Sequence, residues 1–171
     1  MEKRRAAIRT LGDPVLKEQA KAVTVFDAKV RRLAALMTEV MEGEKGVGLA
    51  APQLGVLARV IVWKNPDEAD ELHTFVNPQI TERSEICSTE TEGCLSVPGA
   101  SVEVSRPEEV LVSAQNLGGQ ALEMRLAGLA SRIVQHEVDH LDGCLILDRA
   151  SPDERRRVMK ELRERALAAD T

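Results

Sequence analysis

The segment "LAGLASRIVQHEVDHLDG", residues 126–143, constrains the fold more than any other. Leu129, Ile133, His136 and His140 recur at steps of four, three and four, so one helical face carries all of them. Ala130, Val134, Val138 and Leu141 make a second apolar stripe, and Arg132, Gln135, Asp139 and Asp142 a polar one. A helix apolar on two sides must be covered on both. The pattern therefore predicts a central, largely buried helix from about Leu126 to Asp142, stopped by Gly143, with its two histidines facing inward.

The flanking sequence supplies the cover. "FDAKVRRLAALMTEVMEGEKG" (26–46) places Phe26, Val30, Leu33, Met37, Val40 and Met41 at helical spacing, with Gly46 as the stop. Between Val56 and Arg125, "RVIVW", "LHTFVNP", "SVEVSRPEEVLVSAQ" and "QALEMRL" read as short strands, with Asn-Pro, Pro-Gly and Gly-Gly as punctuation. "CLILD" (144–148) reads as a buried strand. "SPDE" (151–154) combines a Ser N-cap, Pro at the first helical position and Glu three residues after the cap. Val158, Met159, Leu162 and Ala166 continue that helix. The expected fold class is α+β: antiparallel strands packed around a central helix, with one N-terminal and one C-terminal helix. The 171 residues suit a single domain, 1–171, with 151–169 as its terminal helix.

Composition narrows the function classes. Two Phe, one Trp and no Tyr require an aliphatic core, and a net charge of −5 argues against general attraction to nucleic acid or membrane. The start, "MEKRRAAIRTLGDP", is basic but no long apolar run follows, so no signal peptide is expected. "VLARVIVW" (56–63) is too short to span a bilayer and is interrupted by Arg59. Three cysteines without an export signal read as thiols, and the expected compartment is the cytoplasm.

His136, Glu137 and His140 form His-Glu-x-x-His. On a helix this sets two imidazoles one turn apart, able to converge on one ion, with a carboxylate beside them to handle a proton. A plainer reading is two buried histidines bonded to backbone or carboxylates. A catalytic metal needs a third ligand. The long peptidase pattern would put a histidine at Ile146 and fails there. Glu154, Glu161 and Glu164 lie on the terminal helix, where capping or solvation explains them. His73, Cys87, Cys94 and Cys144 remain, and among them Cys94 is framed by Gly93 and the Pro98-Gly99 turn. "GVGLAAPQ" (46–53) matches a dinucleotide fingerprint only as a string, since a helix precedes it and Pro52 follows. It reads instead as a tight connection that lets another backbone approach.

"GVGLAAPQ", "EGCLS" and "HEVDH", in that order, resemble the three signature motifs of peptide deformylases. Those enzymes remove formate from N-formylmethionine on new bacterial proteins. The likeness extends from "GDPVL" (12–16) through "GCLILDR" (143–149), and its compact spacing with a C-terminal helix is similar to the branch common in Gram-negative bacteria. It implies that Cys94, His136 and His140 bind one divalent metal with a fourth position for water. The family often uses iron(II), with zinc, nickel or cobalt as alternatives. It implies Glu137 as the proton carrier, and the Gln53 side-chain amide and Leu95 backbone N–H as donors to the developing oxyanion.

The same resemblance implies that the formyl-peptide pairs with the Val47–Gly48 backbone as an added strand. Its methionine would enter a pocket of Leu129, the Arg132 stem and Ile133, with Val47 opposite. Ala100 and Ser101 depart from the family, which often has a larger or charged residue there. "RRRVMKELRER" (155–165) holds six basic and two acidic residues, and in some relatives the equivalent helix docks on the ribosome. The expected partners are N-formylmethionyl nascent peptides and, through that helix, the ribosome. No membrane is expected, and the chain should be a monomer. The competing functions are an HExxH peptidase cutting internal bonds, which needs a carboxylate ligand, and a non-catalytic peptide-binding relative.

Overall fold

In the computed structural model, residues 6–171 are described, and the basic Lys3–Arg5 at the start lies outside them. The helix α1 (Ala28–Gly43) is capped by Asp27, whose carboxylate accepts the Lys29 N–H at 2.9 Å, and buries Ala34, Met37 and Met41. It ends before Gly46. Lys45 takes the left-handed conformation (φ 56°) and donates its N–H to Glu42, while the Gly46 N–H reaches Met41 O at 2.9 Å. That closes a Schellman turn, so Gly46 completes the stop rather than making it.

The strands β1 (Gly48–Ala50), β2 (Val60–Lys64), β3 (Leu72–Arg83), β6 (Glu109–Gln115) and β7 (Ala121–Ala127) form an antiparallel sheet ordered β1-β2-β3-β6-β7. The strands β4 (Cys87–Gly93) and β5 (Ser101–Pro107) pair separately as a second sheet. Val60, Ile61, Val62 and Trp63 are all buried, because both faces of the larger sheet are covered. Ile61, Trp63 and Phe75 pack on the helix α2 (Gly128–Leu141) through Ile133, Val134 and Val138. Val60, Val62 and Val76 pack on α1 through Met37 and Met41. Fully buried Met37 changed to Ala should cost about 2–5 kcal/mol.

Three expectations need correction. Asn77-Pro78 does not end a strand; β3 runs through it by a bulge, with Asn77 in the left-handed region (φ 52°) and its side chain bonded to Val23 N and O. "SVEVSRPEEVLVSAQ" is two strands in different sheets, parted at Pro107–Glu108. "CLILD" is not a strand: Ile146–Arg149 form the short helix α3, capped where Asp148 Oδ2 accepts the Leu145 N–H at 2.8 Å. The terminal helix α4 (Pro152–Ala169) starts as expected, with Ser151 Oγ accepting from Glu154 N. It packs Val158 and Leu162 on Val102, Val104 and Ile146.

The helix α2 lies between the two sheets, touching β1, β2, β3, β6 and β7 on one side and β5 on the other. Its end is set by Gly143 (φ 73°), where a Cβ would come within 2.5 Å of Lys17 O. No helix among the described residues is long and apolar enough to cross a membrane.

Candidate active site

One turn of α2 brings His136 Nε2 and His140 Nε2 to 3.3 Å, and Cys94 Sγ lies 3.3 Å from His140 Nε2. Among the described residues the three donor atoms fall within 4.8 Å of one another. With bonds of about 2.0–2.3 Å, a tetrahedral divalent ion has ligand atoms about 3.3–3.7 Å apart, so the set fits one ion. Cys94 is presented by the turn that follows β4. The Ser96 N–H donates to its Sγ at 3.4 Å, and the Val97 N–H to its carbonyl at 3.0 Å.

Glu137 and Gln53 face the same point. Glu137 is buried, and its Oε2 has no hydrogen-bond partner among the described residues. Its carboxylate lies against Gly48, where a Cβ would come within 2.5 Å of Oε1. Gln53 sits in a 3-10 turn, Ala51–Leu54, directly after β1. Its Oε1 accepts the Ala50 N–H at 2.9 Å, which turns the amide nitrogen toward Ser96 Oγ (3.1 Å) and Cys94 Sγ (3.8 Å). A cavity of about 1050 Å³ opens over these groups.

Residues 5–156 match the polypeptide deformylase family. The chain belongs to that family. The peptide deformylase of Dictyoglomus thermophilum is 51% identical over 143 residues, covering 84% of this chain and 91% of that one. The crystal structure of peptide deformylase from Thermotoga maritima superposes with a TM-score of 0.82 at 42% identity, covering 88% of this chain and all of that one. That from Ehrlichia chaffeensis gives 0.89 at 29% identity, covering 96% and 98%. Deformylases are metal-dependent hydrolases of protein biosynthesis that remove the formyl group from nascent peptides. This chain is an enzyme of that kind.

Around the deformylase site, burial and neighbouring charges shift His136, Glu137 and His140 in different directions. Burial pushes the His136 pKa down, but the Cys94 and Glu92 hydrogen bonds and the Glu137 charge outweigh it and hold it at about 10. Burial, and then the charge on His136, push His140 well below its ordinary value. For Glu137, burial lifts the pKa to about 7, with His136 opposing.

The residues that orient His136 escaped the sequence reading. Glu92, at the end of β4, takes His136 Nδ1 at 2.9 Å. It is itself held by Arg106 (2.7 and 2.9 Å) and Arg132 (2.6 Å). The polar stripe of α2 is thus buried in its first half: Arg132 and Gln135 are 7% and 5% exposed, whereas Asp142 is exposed. Glu92 stood in plain view in "EGCLS", but β4 is polar throughout, so nothing in the sequence marked Glu92 as its one buried side chain. Nothing in the sequence pointed to Arg106.

Leu129, Arg132, Ile133, Val47 and Gly48 all line the cavity, and Ala100 and Ser101 also border it. The Arg132 guanidinium is turned away to Glu92, Val104 O and Ser88. His73 stacks on Trp63 instead (ring centroids 4.4 Å), and Cys87 and Cys144 are free thiols outside the cluster.

Proposed function

We propose that Cys94, His136 and His140 hold one divalent ion, iron(II) in the cell with zinc, nickel or cobalt able to replace it. The observation that carries this is the convergence of the three donor atoms within 4.8 Å beside the partnerless oxygen of Glu137. An ion so held supplies Lewis acidity toward a water and toward the formyl oxygen. The Cys94 thiolate makes it milder than three histidines would, which suits an unhindered formyl group.

Glu137 takes a proton from the attacking water on Oε2 and passes it to the leaving amine. The Gln53 amide N–H and the Leu95 backbone N–H donate to the formyl oxygen as it gains charge. The substrate pairs along the outer edge of β1 at Val47–Gly48, since among the described residues β1 ends the sheet and pairs with β2 alone. Its methionine side chain enters between Leu129, Ile133 and the Arg132 stem.

The whole chain, 1–171, acts as one catalytic domain in the cytoplasm, as a monomer. The α4 helix makes contact with the ribosome through its basic face, where Arg163 and Arg165 have no ion pair among the described residues. Others are paired, as Arg157 is with Glu154 and Glu161. Ribosome co-sedimentation that survives deletion of residues 152–171 would rule this contact out.

Formate release from a formyl-Met tripeptide tests the central reading, using protein loaded anaerobically with iron(II) beside a Glu137→Ala control. Release in the parent and none in the variant is expected. Equal release in both would remove Glu137 from the mechanism, and no release from folded, metal-bound protein would overturn the reading.

A further inference from the structure

A row of alternating charges runs from the surface of α3 to the proposed metal ligands. Arg149, on α3, forks onto Asp139: Nη2 donates to Oδ1 at 2.7 Å and Nε to Oδ2 at 3.1 Å. Asp139 lies on α2 between the two histidines. The same Oδ2 accepts Arg106 Nη1 at 2.9 Å, and Arg106 grips both oxygens of Glu92, which takes His136 Nδ1. Inside this row the side chains are nearly covered, from 4% exposed for Arg106 to 13% for Asp139, whereas Arg149 is 49% exposed.

We infer that Arg149 is a positioning residue for the metal site, acting on His136 through Asp139, Arg106 and Glu92. This rests on the ligand assignment proposed above. Arg106 serves two carboxylates with one planar guanidinium, so its tilt depends on how firmly each is held. Without Arg149, Asp139 Oδ1 loses its partner and the carboxylate is free to turn. Arg106 then loses a fixed point, and with it the angle at which Glu92 presents its oxygen to His136. Groups hydrogen-bonded to metal-binding histidines typically change affinity about 10–100-fold when altered. Arg149 is further out and partly in water, so the low end of that range applies.

The same interaction joins α3 to the end of α2, so it also steadies the fold, and the test must separate the two roles. The full-length protein is freed of metal with a chelator and titrated with cobalt(II) against a competing chelator, with the visible spectrum of the bound ion recorded. Arg149→Met, which keeps the length and loses the fork, should bind cobalt(II) about tenfold more weakly and shift the thiolate–cobalt absorption. Arg149→Lys, which keeps the charge but not the bidentate geometry, should fall between it and the parent, and supplies the test if the Met variant does not fold. Parent-like affinity and spectrum in the folded variants, with only a lower melting temperature, would reduce Arg149 to a structural clamp. A parent protein that binds no cobalt(II) would overturn the ligand assignment itself.

Discussion

His136 Nδ1 donates to Glu92 Oε1 at 2.9 Å, and this one bond decides which way the imidazole faces. A carboxylate only accepts, so Nδ1 must carry a proton, and Nε2 is the nitrogen turned toward His140 Nε2, where the proposed ion would sit. Glu92→Gln keeps the shape but weakens the acceptor and discharges the partner of Arg106 and Arg132. Metal affinity should fall about 10–100-fold, read by chelator competition. Unchanged affinity would mean that packing alone aims the ring.

Gly48→Ala should abolish most activity with little loss of metal. A Cβ there would meet Glu137 Oε1 at 2.5 Å and Glu137 Cδ at 2.9 Å, so the carboxylate must move off the reacting position. The three ligand atoms are untouched. The expected result is a kcat lowered about 10²–10⁴-fold, the usual contribution of a general base, at near-normal metal content. Full activity would show that Glu137 has room to adjust.

Gln53→Ala should lower kcat about 10²–10³-fold by removing an oxyanion donor. The structure adds a second effect. Gln53 Oε1 satisfies the buried Ala50 N–H, so the variant should also lose about 1–3 kcal/mol of stability. Gln53→Glu keeps that acceptor and loses the donor. It also buries a carboxylate beside the Cys94 sulfur, so it should recover neither urea stability nor turnover, and parent-like turnover would remove Gln53 from catalysis.

Asp148 predicts a pH effect away from the metal. Burial raises its pKa, but the Leu145 N–H and the Lys17 ammonium, 2.6 Å away, outweigh this and hold it below the ordinary 3.8. A depressed carboxylate stabilises the fold above its unfolded pKa and ceases to do so as pH falls through the folded one. Asp148→Asn should therefore lower the urea midpoint at pH 6, and the difference should shrink as pH falls below the ordinary 3.8 and through the lower folded pKa. A constant difference across that range would contradict the assignment.

The periodicity of residues 26–46 and 126–143 and the local signals at Gly143 and Ser151 were enough to determine the main helices, because amphipathic faces and caps are properties of neighbours in sequence. The three motifs likewise marked Cys94, Gln53, His136, Glu137 and His140, although their spacing left the third ligand open until the family resemblance named it. Only the tertiary structure decided what surrounds them. The β4 strand is polar and exposed along most of its length, so its pairing with β5 left no apolar alternation to read. Residues 146–149 became a helix, begun where Asp148 Oδ2 accepts the Leu145 N–H. The partners of Glu92, Asp139 and Arg132 lie 10 to 44 residues away and meet only when α2 is enclosed between the sheets. Buried charges must be paired wherever the fold brings their partners, and no local pattern records that requirement.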